Sequence, residues 1–335
     1  MTSRRLALLV LVLAIAAGAV VLALHGSRKT PVEAVHLDAG LKGPFNFVAY
    51  GDARFHDPAD TAAANATVRV ALVQAIADVN PAFVCFSGDL VFNGFDENDW
   101  KIWDSETSPW REKKIPVYPS LGNHEFRGNL RTAMGNYFKR CPDLKGCHYY
   151  SVRAANTLLL ALDSSQEEVI GPQGEWLIKQ LDQVPSDVNF VFLMLHHPLY
   201  TSSSESGQFP GGHPARSWEQ ALAKLLEDRQ AHAPYRIAVF SGHVHNYERH
   251  EHGGVTYFVS GGGGARPVLI PRAKSDLYQS SEVNFHYLFV QVNGQRSTIT
   301  MNRVDMSSGK AVWMQPDKVT IAAPGAAAAA GAGGP

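Results

Sequence analysis

Five short apolar segments of this 335-residue chain each end in side chains that can bind a metal ion. Aspartate, asparagine and histidine residues follow these segments, and a glycine precedes them at most of the bends. Because oxygen donors occur here together with imidazole nitrogens, the set suits Zn, Mn or Fe better than Ca or Mg. The candidate metal ligands are Asp52, Asp89, Asn123, His196, His243 and His245.

Six donors are more than one four-coordinate ion needs, and they suit two ions that share a bridging carboxylate. Two cations about 3.5 to 4 Å apart can hold a hydroxide, clamp a phosphate and stabilise the oxygens of an in-line displacement. Each motif alone is common as a turn or as a hydrogen-bonded histidine. Their joint occurrence, each after a strand-like segment, predicts a two-metal site for phosphate-ester chemistry.

The order of these motifs resembles that of the calcineurin-like metallophosphoesterase superfamily. The matching residues are Gly51-Asp52, Gly88-Asp89, Gly122-Asn123-His124-Glu125, His196-x-Pro198 and Gly242-His243-x-His245. The continuation from Gly242 to Arg249 is especially similar to the purple acid phosphatase branch. The resemblance extends from about Phe45 to Arg303. It implies an α/β fold, a four-layer α/β/β/α sandwich of two mixed β-sheets flanked by helices.

The resemblance also implies a role for each residue. Asp89 would bridge the ions, Asp52 and His245 would bind the first ion, and Asn123, His196 and His243 would bind the second. A hydroxide between the ions would attack phosphorus in line. His124 matches the catalytic histidine of the family, which protonates the leaving alkoxide or stabilises the charge of the transition state. Glu125 is the adjacent acidic group that would orient His124.

Two positions depart from the family pattern at the first ion. Arg54 stands where most members have a histidine ligand, and Phe92 stands where the purple branch has a tyrosine. His56 is a candidate for the missing imidazole, the alternative being a solvated loop histidine. Arg54 is a candidate catalytic residue whose planar fork suits a substrate phosphate, the alternative being a structural salt bridge. The first ion is therefore expected to bind weakly or to exchange.

Two further features have open interpretations. His197 is either a structural residue, a residue that supports the metal ligands, or a contact for the substrate. The Ser- and Gly-rich segment from Thr201 to Pro214, which contains His213, is either a lid over the site or a plain surface loop.

Strands and helices must bring these distant residues together. Short Val-, Phe- and Leu-rich runs alternate with amphipathic segments early in the chain and follow one another directly near its end. This order predicts one layered α/β domain over residues 40–310 with a partly antiparallel sheet. In open α/β sheets the carboxyl ends of parallel strands share one edge, so motifs far apart in sequence converge there.

The ends of the chain differ from this domain. Arg4 and Arg5 precede an apolar run from Leu6 to Leu24, which is long enough to cross a bilayer with the domain outside the cytoplasm. Residues 1–30 are thus predicted to be a membrane anchor. The alternative is a cleaved signal peptide that leaves a periplasmic or secreted domain. Residues 322–335 are almost entirely Ala, Gly and Pro and are predicted to be disordered.

Overall composition limits the class of protein. The chain has 30 Lys and Arg against 31 Asp and Glu and is 45% hydrophobic. This balance is typical of a globular protein and excludes a disordered chain, a disulfide-rich miniprotein and a basic nucleic-acid binder, so no nucleic-acid partner is expected. Because an exported protein meets an oxidising environment, a short-range disulfide between Cys141 and Cys147 is plausible. Composition does not predict an oligomeric state.

The sequence as a whole predicts an exported two-metal phosphoesterase. Its expected partners are a small-molecule phosphate ester and, through the N-terminal segment, a membrane. Phosphate monoesters are the first choice of substrate because the match around Gly242 favours the acid phosphatases. One alternative is a phosphodiesterase acting on nucleotides or lipid head groups. The other is a non-catalytic, anchored metal-binding module.

Overall fold

The structure is a computed structural model that describes residues 34–165, 170–205 and 213–326. The segment predicted to be an anchor or signal peptide lies outside the described residues, as does most of the Ala- and Gly-rich tail. Of the helices in the described ranges, none combines the length and apolar character needed to cross a membrane.

Fourteen strands form two mixed sheets in the described part of the chain. Their bounds are β1 Val35–Asp38, β2 Phe45–Tyr50, β3 Val84–Phe86, β4 Val117–Pro119, β5 Tyr150–Ala154, β6 Thr157–Ala161, β7 Phe190–Met194, β8 Arg236–Ser241, β9 Tyr247–His252, β10 Val255–Ser260, β11 Phe285–Asn293, β12 Arg296–Asp305, β13 Val312–Met314 and β14 Lys318–Ala322. The first sheet has the order β1-β5-β6-β7-β8-β10-β9. The second has the order β13-β12-β11-β2-β3-β4, with β14 also paired to β12.

Helices fill the connections between the parallel strands. The α-helices are α1 Ala66–Val79, α2 Glu97–Glu106, α3 Ser108–Glu112, α4 Leu130–Arg140, α5 Gly171–Asp182 and α6 Ser217–Gln230, and short 3-10 helices span Pro142–Leu144 and Ser202–Glu205. Two of the helices have an asparagine as the N-cap residue. The side-chain oxygen of Asn65 accepts a hydrogen bond from the N–H of Val68 at 3.1 Å, and Asn129 caps α4 in the same way. Such caps satisfy backbone donors that have no partner within the helix.

The two sheets pack face to face through aromatic side chains. Phe47 of β2 contacts Phe192 of β7 and Phe240 of β8, with ring centroids 5.7 and 6.1 Å apart. Successive residues of β7 point to opposite faces, so Val191 and Leu193 pack instead against α5 and α6. Phe192 is fully buried, and its replacement by alanine is expected to cost about 3–5 kcal/mol of stability.

The outer face of the second sheet is covered by α1 and by the segment that contains three tryptophans. Trp100, Trp103 and Trp110 are buried in the core, and the indole N–H of Trp110 donates to the carbonyl of Val73 at 2.9 Å. Helices therefore flank both sheets, and the predicted four-layer α/β/β/α architecture is confirmed.

The disulfide predicted between Cys141 and Cys147 is not formed. Residues 142–144 between them adopt a 3-10 helix, and the N–H of Cys147 donates to the carbonyl of Leu144 at 2.8 Å. Burial raises the pKa of the Cys141 thiol to about 12. That burial disfavours the thiolate through which disulfides form.

Candidate metal centre

The predicted ligands lie at the carboxyl ends of five strands. β2, β3 and β4 are parallel neighbours in the second sheet, while β7 and β8 are parallel neighbours in the first. Because the two sheets face each other, the loops after these strands meet at one edge of the sandwich. Asp52, Asp89 and His243 have left-handed backbone conformations, with φ of 61°, 53° and 68°. Such conformations are costly for non-glycine residues and are concentrated at functional sites.

Two glycines permit the close approach of these loops. Gly88 has a φ of 88°, and a Cβ there would lie only 2.7 Å from the backbone nitrogen of Gly122 and 2.8 Å from Nδ1 of His196. A Cβ at Gly242 would collide with Oδ2 of Asp52. Both glycines are therefore required by the packing of the loops that carry the ligands.

Asp52, Asp89 and His245 form the first side of the centre. Their donor atoms all lie within 4.8 Å of one another. Nε2 of His245 is 3.6 Å from Oδ1 of Asp52, and both atoms are buried without a hydrogen-bond partner among the described residues. Nδ1 of His245 lies 2.7 Å from the carbonyl oxygen of Arg266 and donates to it, which leaves the Nε2 lone pair facing the centre.

Asn123, His196 and His243 form the second side of the centre. Oδ1 of Asn123 lies 3.0 Å from Nε2 of His196 and 3.2 Å from Nδ1 of His243. Because Nδ1 of His196 donates to the carbonyl oxygen of Ser87 at 2.8 Å, Nε2 of His196 presents a lone pair to Asn123. Lone pairs that converge in this way repel one another unless a cation lies between them.

Asp89 contacts both sides. Its Oδ1 lies 3.4 Å from Nε2 of His196, and its carboxylate also belongs to the cluster with Asp52 and His245. The structure thus brings together all six predicted ligands. Their mixed oxygen and nitrogen donors, with buried lone pairs aimed inward, fit the two-ion site that the motifs predict.

Burial controls the charges of the ligands. It lowers the pKa of His196 and His243 and takes that of His245 to about 4, so the imidazoles remain neutral and retain their lone pairs. Burial, together with the charge of Asp89, raises the pKa of Asp52. Burial also acts to raise the pKa of Asp89, but the surrounding histidines and Arg54 outweigh it and hold that pKa well below its usual range.

His124 is directed at the same carboxylate. Its Nδ1 donates to the carbonyl oxygen of Phe92 at 2.7 Å. Its Nε2 is buried, has no hydrogen-bond partner in the described part of the chain, and lies 3.6 Å from Oδ2 of Asp89. Burial lowers the pKa of His124 to about 3. A neutral imidazole with an open Nε2 therefore borders the candidate metal centre.

A family model described as calcineurin-like phosphoesterase matches residues 55–247, more than half of the chain. The chain belongs to this family. Purple acid phosphatase 1 of Ipomoea batatas is 27% identical over 189 residues, which cover 50% of this chain and 37% of that protein. The Fe(3+)-Zn(2+) purple acid phosphatase 12 of Arabidopsis thaliana is 26% identical over 190 residues, with the same coverage.

This member of the calcineurin-like phosphoesterases thus spans little more than a third of the length of those two relatives. Among solved structures, purple acid phosphatase PPD1 from yellow lupin (Lupinus luteus) seeds superposes with a TM-score of 0.63 and 18% identity. The match covers 84% of this chain and 54% of that chain. At this identity the structural match supports the fold.

Within the phosphoesterase motifs, Arg54 departs from the family pattern and lies at the first side. Its Nε and one terminal nitrogen donate to Oδ2 of Asp89 at 3.2 and 3.0 Å. The guanidinium therefore holds one oxygen of the carboxylate that would bridge the ions. Phe92, at the tyrosine position of the purple branch, has no side-chain oxygen to offer a metal ion, and its backbone carbonyl oxygen orients His124.

Two expectations about neighbouring residues are wrong. Glu125 does not orient His124, because its buried carboxylate accepts from the backbone N–H groups of Asp89, Leu90 and Gly122 at 2.8–2.9 Å. It thereby ties two ligand loops together. Burial, followed by the charge of Asp89, raises the pKa of Glu125 to about 8.

His56 does not supply the imidazole that the first motif lacks. Its Nδ1 lies 2.5 Å from Oδ1 of Asp99, and its Nε2 lies 3.3 Å from Oδ2 of Asp60. Both nitrogens of His56 face carboxylates outside the candidate metal centre, so its imidazole is not directed at the first ion.

Three residues near the phosphoesterase centre were understated or missed by sequence reasoning. His197 packs with its ring centroid 4.5 Å from that of His243, and His213 lies 4.8 Å from His243. Nε2 of His213 is 2.8 Å from Oε1 of Glu219. The position of His213 in the loop after the fourth motif was the only signal for it. Arg127, three residues after His124, had no signal at all.

Proposed function

We propose that this chain is a metal-dependent phosphatase that hydrolyses phosphate monoesters with two metal ions held side by side. One observation carries the proposal. Five other candidate ligands converge around Asp89, and the open Nε2 of His124 lies 3.6 Å from the same carboxylate. Membership of the calcineurin-like phosphoesterase family supports this assignment.

The proposed ions would be held by the two sides of the centre with Asp89 shared between them. When bound, a pair of divalent or trivalent cations supplies a water of lowered pKa and neutralises the charge of the phosphate. Fe, Mn and Zn all suit the donor set. The name of the Arabidopsis relative includes Fe and Zn. Phe92 stands where the purple branch has a tyrosine, so a tyrosinate–iron bond at this position is not part of the proposal.

The residues of the chain perform the proton transfer. As the oxygen of water bonds to phosphorus, the ester P–O bond breaks and its electron pair leaves with the alkoxide. The attacking water loses its proton to solvent, Nε2 of His124 passes a proton from solvent to that alkoxide on the opposite side of phosphorus, and the carbonyl of Phe92 holds the ring in place. Because Nδ1 of His124 keeps its hydrogen on the carbonyl oxygen of Phe92, Nε2 is the atom that carries this proton.

Charge near the centre favours monoesters over diesters. A monoester carries one more negative charge than a diester. Arg54, whose side chain is 15% exposed, lies at the first side and can attract that charge.

The test is hydrolysis of 4-nitrophenyl phosphate and bis(4-nitrophenyl) phosphate by the full chain loaded with Mn, Zn or Fe. We expect turnover with a preference for the monoester, and loss of turnover in Asp89→Ala. Asp187→Ala, at an exposed carboxylate far from these contacts, is the matched control. Preference for the diester would favour the phosphodiesterase alternative. Failure of both substrates with every metal would favour a non-catalytic metal-binding module.

Export and anchoring by residues 1–30 are also part of the proposal. They are supported by the apolar run from Leu6 to Leu24 after Arg4 and Arg5. Intact cells that express the full chain should hydrolyse an impermeant phosphate ester, and activity should sediment with membranes. Activity found only after cell lysis would contradict export, and activity released from intact cells would indicate cleavage of the segment.

A further inference from the structure

Arg127 is a half-buried guanidinium with few partners. A terminal nitrogen of Arg127 makes one long hydrogen bond, 3.4 Å, to the carbonyl oxygen of Phe92. Its guanidinium carbon lies 4.9 Å from the centroid of the Phe92 ring. Within the described ranges no carboxylate lies at ion-pair distance from it, although guanidinium offers five N–H donors. Most of these donors have no hydrogen-bond partner among the described residues.

Three other enclosed arginines of the described part have carboxylate partners, and a fourth, Arg236, donates to two backbone carbonyl oxygens at 2.8 and 3.1 Å. Arg69 pairs with Glu106 at 2.6 Å, Arg249 pairs with Asp317, and Arg272 pairs with Asp276 at 2.8 Å. Burial lowers the pKa of Arg127, and the nearby charge of Arg54 lowers it further. A partly desolvated cation of this kind gains most from an anion that arrives with a ligand.

The location of Arg127 relates it to the leaving group. The carbonyl oxygen of Phe92 accepts from both Arg127 and Nδ1 of His124, so the guanidinium and the imidazole are neighbours. In the proposed reaction the departing oxygen takes its proton from Nε2 of His124. The remainder of the alcohol must then extend past His124, into the region that Arg127 borders.

We infer that Arg127 is a specificity-determining residue that binds an anionic substituent on the leaving alcohol. This inference rests on the proposed phosphatase function and narrows its substrate class. The preferred substrates are phosphate monoesters whose alcohol carries a carboxylate or a second phosphate. The planar fork of arginine binds either anion through paired hydrogen bonds.

A matched set of aryl substrates tests the inference on the metal-loaded full chain. The set is phenyl phosphate, 3-carboxyphenyl phosphate and 1,3-phenylene bisphosphate, which share one ring and differ in the charge of the leaving group. We expect kcat/KM for at least one anionic member to exceed that for phenyl phosphate by about tenfold. The two anionic members distinguish a carboxylate site from a phosphate site.

Variants of Arg127 separate recognition from a structural role. Arg127→Gln should bring the ratio between anionic and neutral substrates close to one, and Arg127→Lys should retain part of it. Arg131→Gln is the control, because Arg131 is an exposed arginine four residues further along. Absence of a preference in the wild type, or an equal loss on all three substrates in Arg127→Gln, would overturn the inference. The second result would indicate that Arg127 only positions Phe92 and His124.

Binding measurements distinguish failure of the Arg127 inference from failure of the proposed phosphatase function. Calorimetry with phenylphosphonate and 3-carboxyphenylphosphonate reports recognition without turnover. If the chain hydrolyses none of the esters, the proposed function fails. Tighter binding of the carboxylated phosphonate, lost in Arg127→Gln, would still support the anion site, and equal binding would reject it.

Discussion

The two sides of the metal centre are built from different chemistry. The first side has two carboxylates and one histidine, and the guanidinium of Arg54 already occupies an oxygen of Asp89. The second side has neutral imidazoles and an amide, with His197 and His213 packed against His243. An incoming cation meets this resident positive charge most directly on the first side, because Arg54 holds Oδ2 of Asp89 whereas Oδ1 faces His196 of the second side. We therefore expect the second side to bind its ion more tightly.

The orientation of the ligands supports the same contrast. Nε2 of His196 is held toward the second side by a hydrogen bond from Nδ1 to Ser87, and the lone pairs there already converge within 3.2 Å. On the first side the closest approach of Asp52 to His245 is 3.6 Å. A site whose donors are already oriented loses less entropy when it binds an ion.

The strongest test of the contrast removes one histidine from each side. After dialysis we expect wild-type protein to retain mainly the second ion. His245→Ala should retain it and His196→Ala should lose it, while both variants lose roughly 1000-fold in kcat/KM. Elemental analysis measures the ions, and exposed His232→Ala is the control. Retention of the ion in His196→Ala but not in His245→Ala would reverse the assignment.

A second prediction asks whether His124 belongs to either side. Nε2 of His124 lies near Asp89 but is expected to serve the proton transfer. His124→Ala should therefore slow turnover by about 100-fold or more and leave the metal content unchanged. Steady-state kinetics together with elemental analysis distinguish these effects. A parallel loss of metal would make His124 a ligand rather than a catalytic residue.

A third prediction concerns the competition from Arg54. Arg54→Met removes the cation without adding a donor, and Arg54→His adds an imidazole as well. Calorimetric titration with Zn or Mn should show that Arg54→His binds the ion of the first side about tenfold more tightly than the wild type does. Arg54→Met should show a smaller increase in affinity. Arg54→Lys, which keeps the charge, is the control. Unchanged affinity in all three would show that Arg54 does not weaken the first side.

The smallest expected effect is on how the free energy of unfolding depends on pH, measured after a chelator has removed any bound metal ions. Burial lowers the pKa of His197 in the folded state, whereas an unfolded histidine titrates near 6.5. Below about pH 6 the histidine therefore binds a proton in the unfolded state but not in the folded state. As the pH falls, the free energy of unfolding decreases by about 1.4 kcal/mol per pH unit for each such histidine.

Thermal unfolding between about pH 6.5 and 4.5 measures this slope. The second side and its neighbour His197 contribute three buried imidazoles, and the first side contributes only His245. His197→Asn should make the slope shallower, and His232→Asn should not change it. Equal slopes in both variants would contradict a neutral, buried His197.

Much of the fold and of the site was predictable from local patterns. The ligands Asp52, Asp89 and His245 follow apolar strands directly, and strands whose carboxyl ends share an edge bring such residues together. Cys141 shows where such patterns fail, since a short spacing to Cys147 does not ensure the geometry of a disulfide. Export, the identity of the metals and the substrate remain predictions.

Other roles were not predictable because they depend on atoms distant in sequence. Glu125 is adjacent to His124, yet the turn directs its carboxylate to the backbone of the neighbouring loop at Asp89. His124 is oriented by the backbone carbonyl of Phe92, and because every residue type has such a carbonyl, the identity of residue 92 gives no signal for this role. Arg127 is distinguished only by its tertiary surroundings, in which no carboxylate of the described residues lies at ion-pair distance from it.

The sequence by itself determined which donors are available and that they end apolar strands, because residue type and hydrophobic period are local properties. The tertiary structure alone decided which oxygen of Asp89 faces Arg54, which nitrogen of His196 remains open, and which neighbour holds His124. These outcomes depend on backbone dihedral angles and on hydrogen-bond partners from other strands. Such long-range geometry leaves no trace in the spacing of residues.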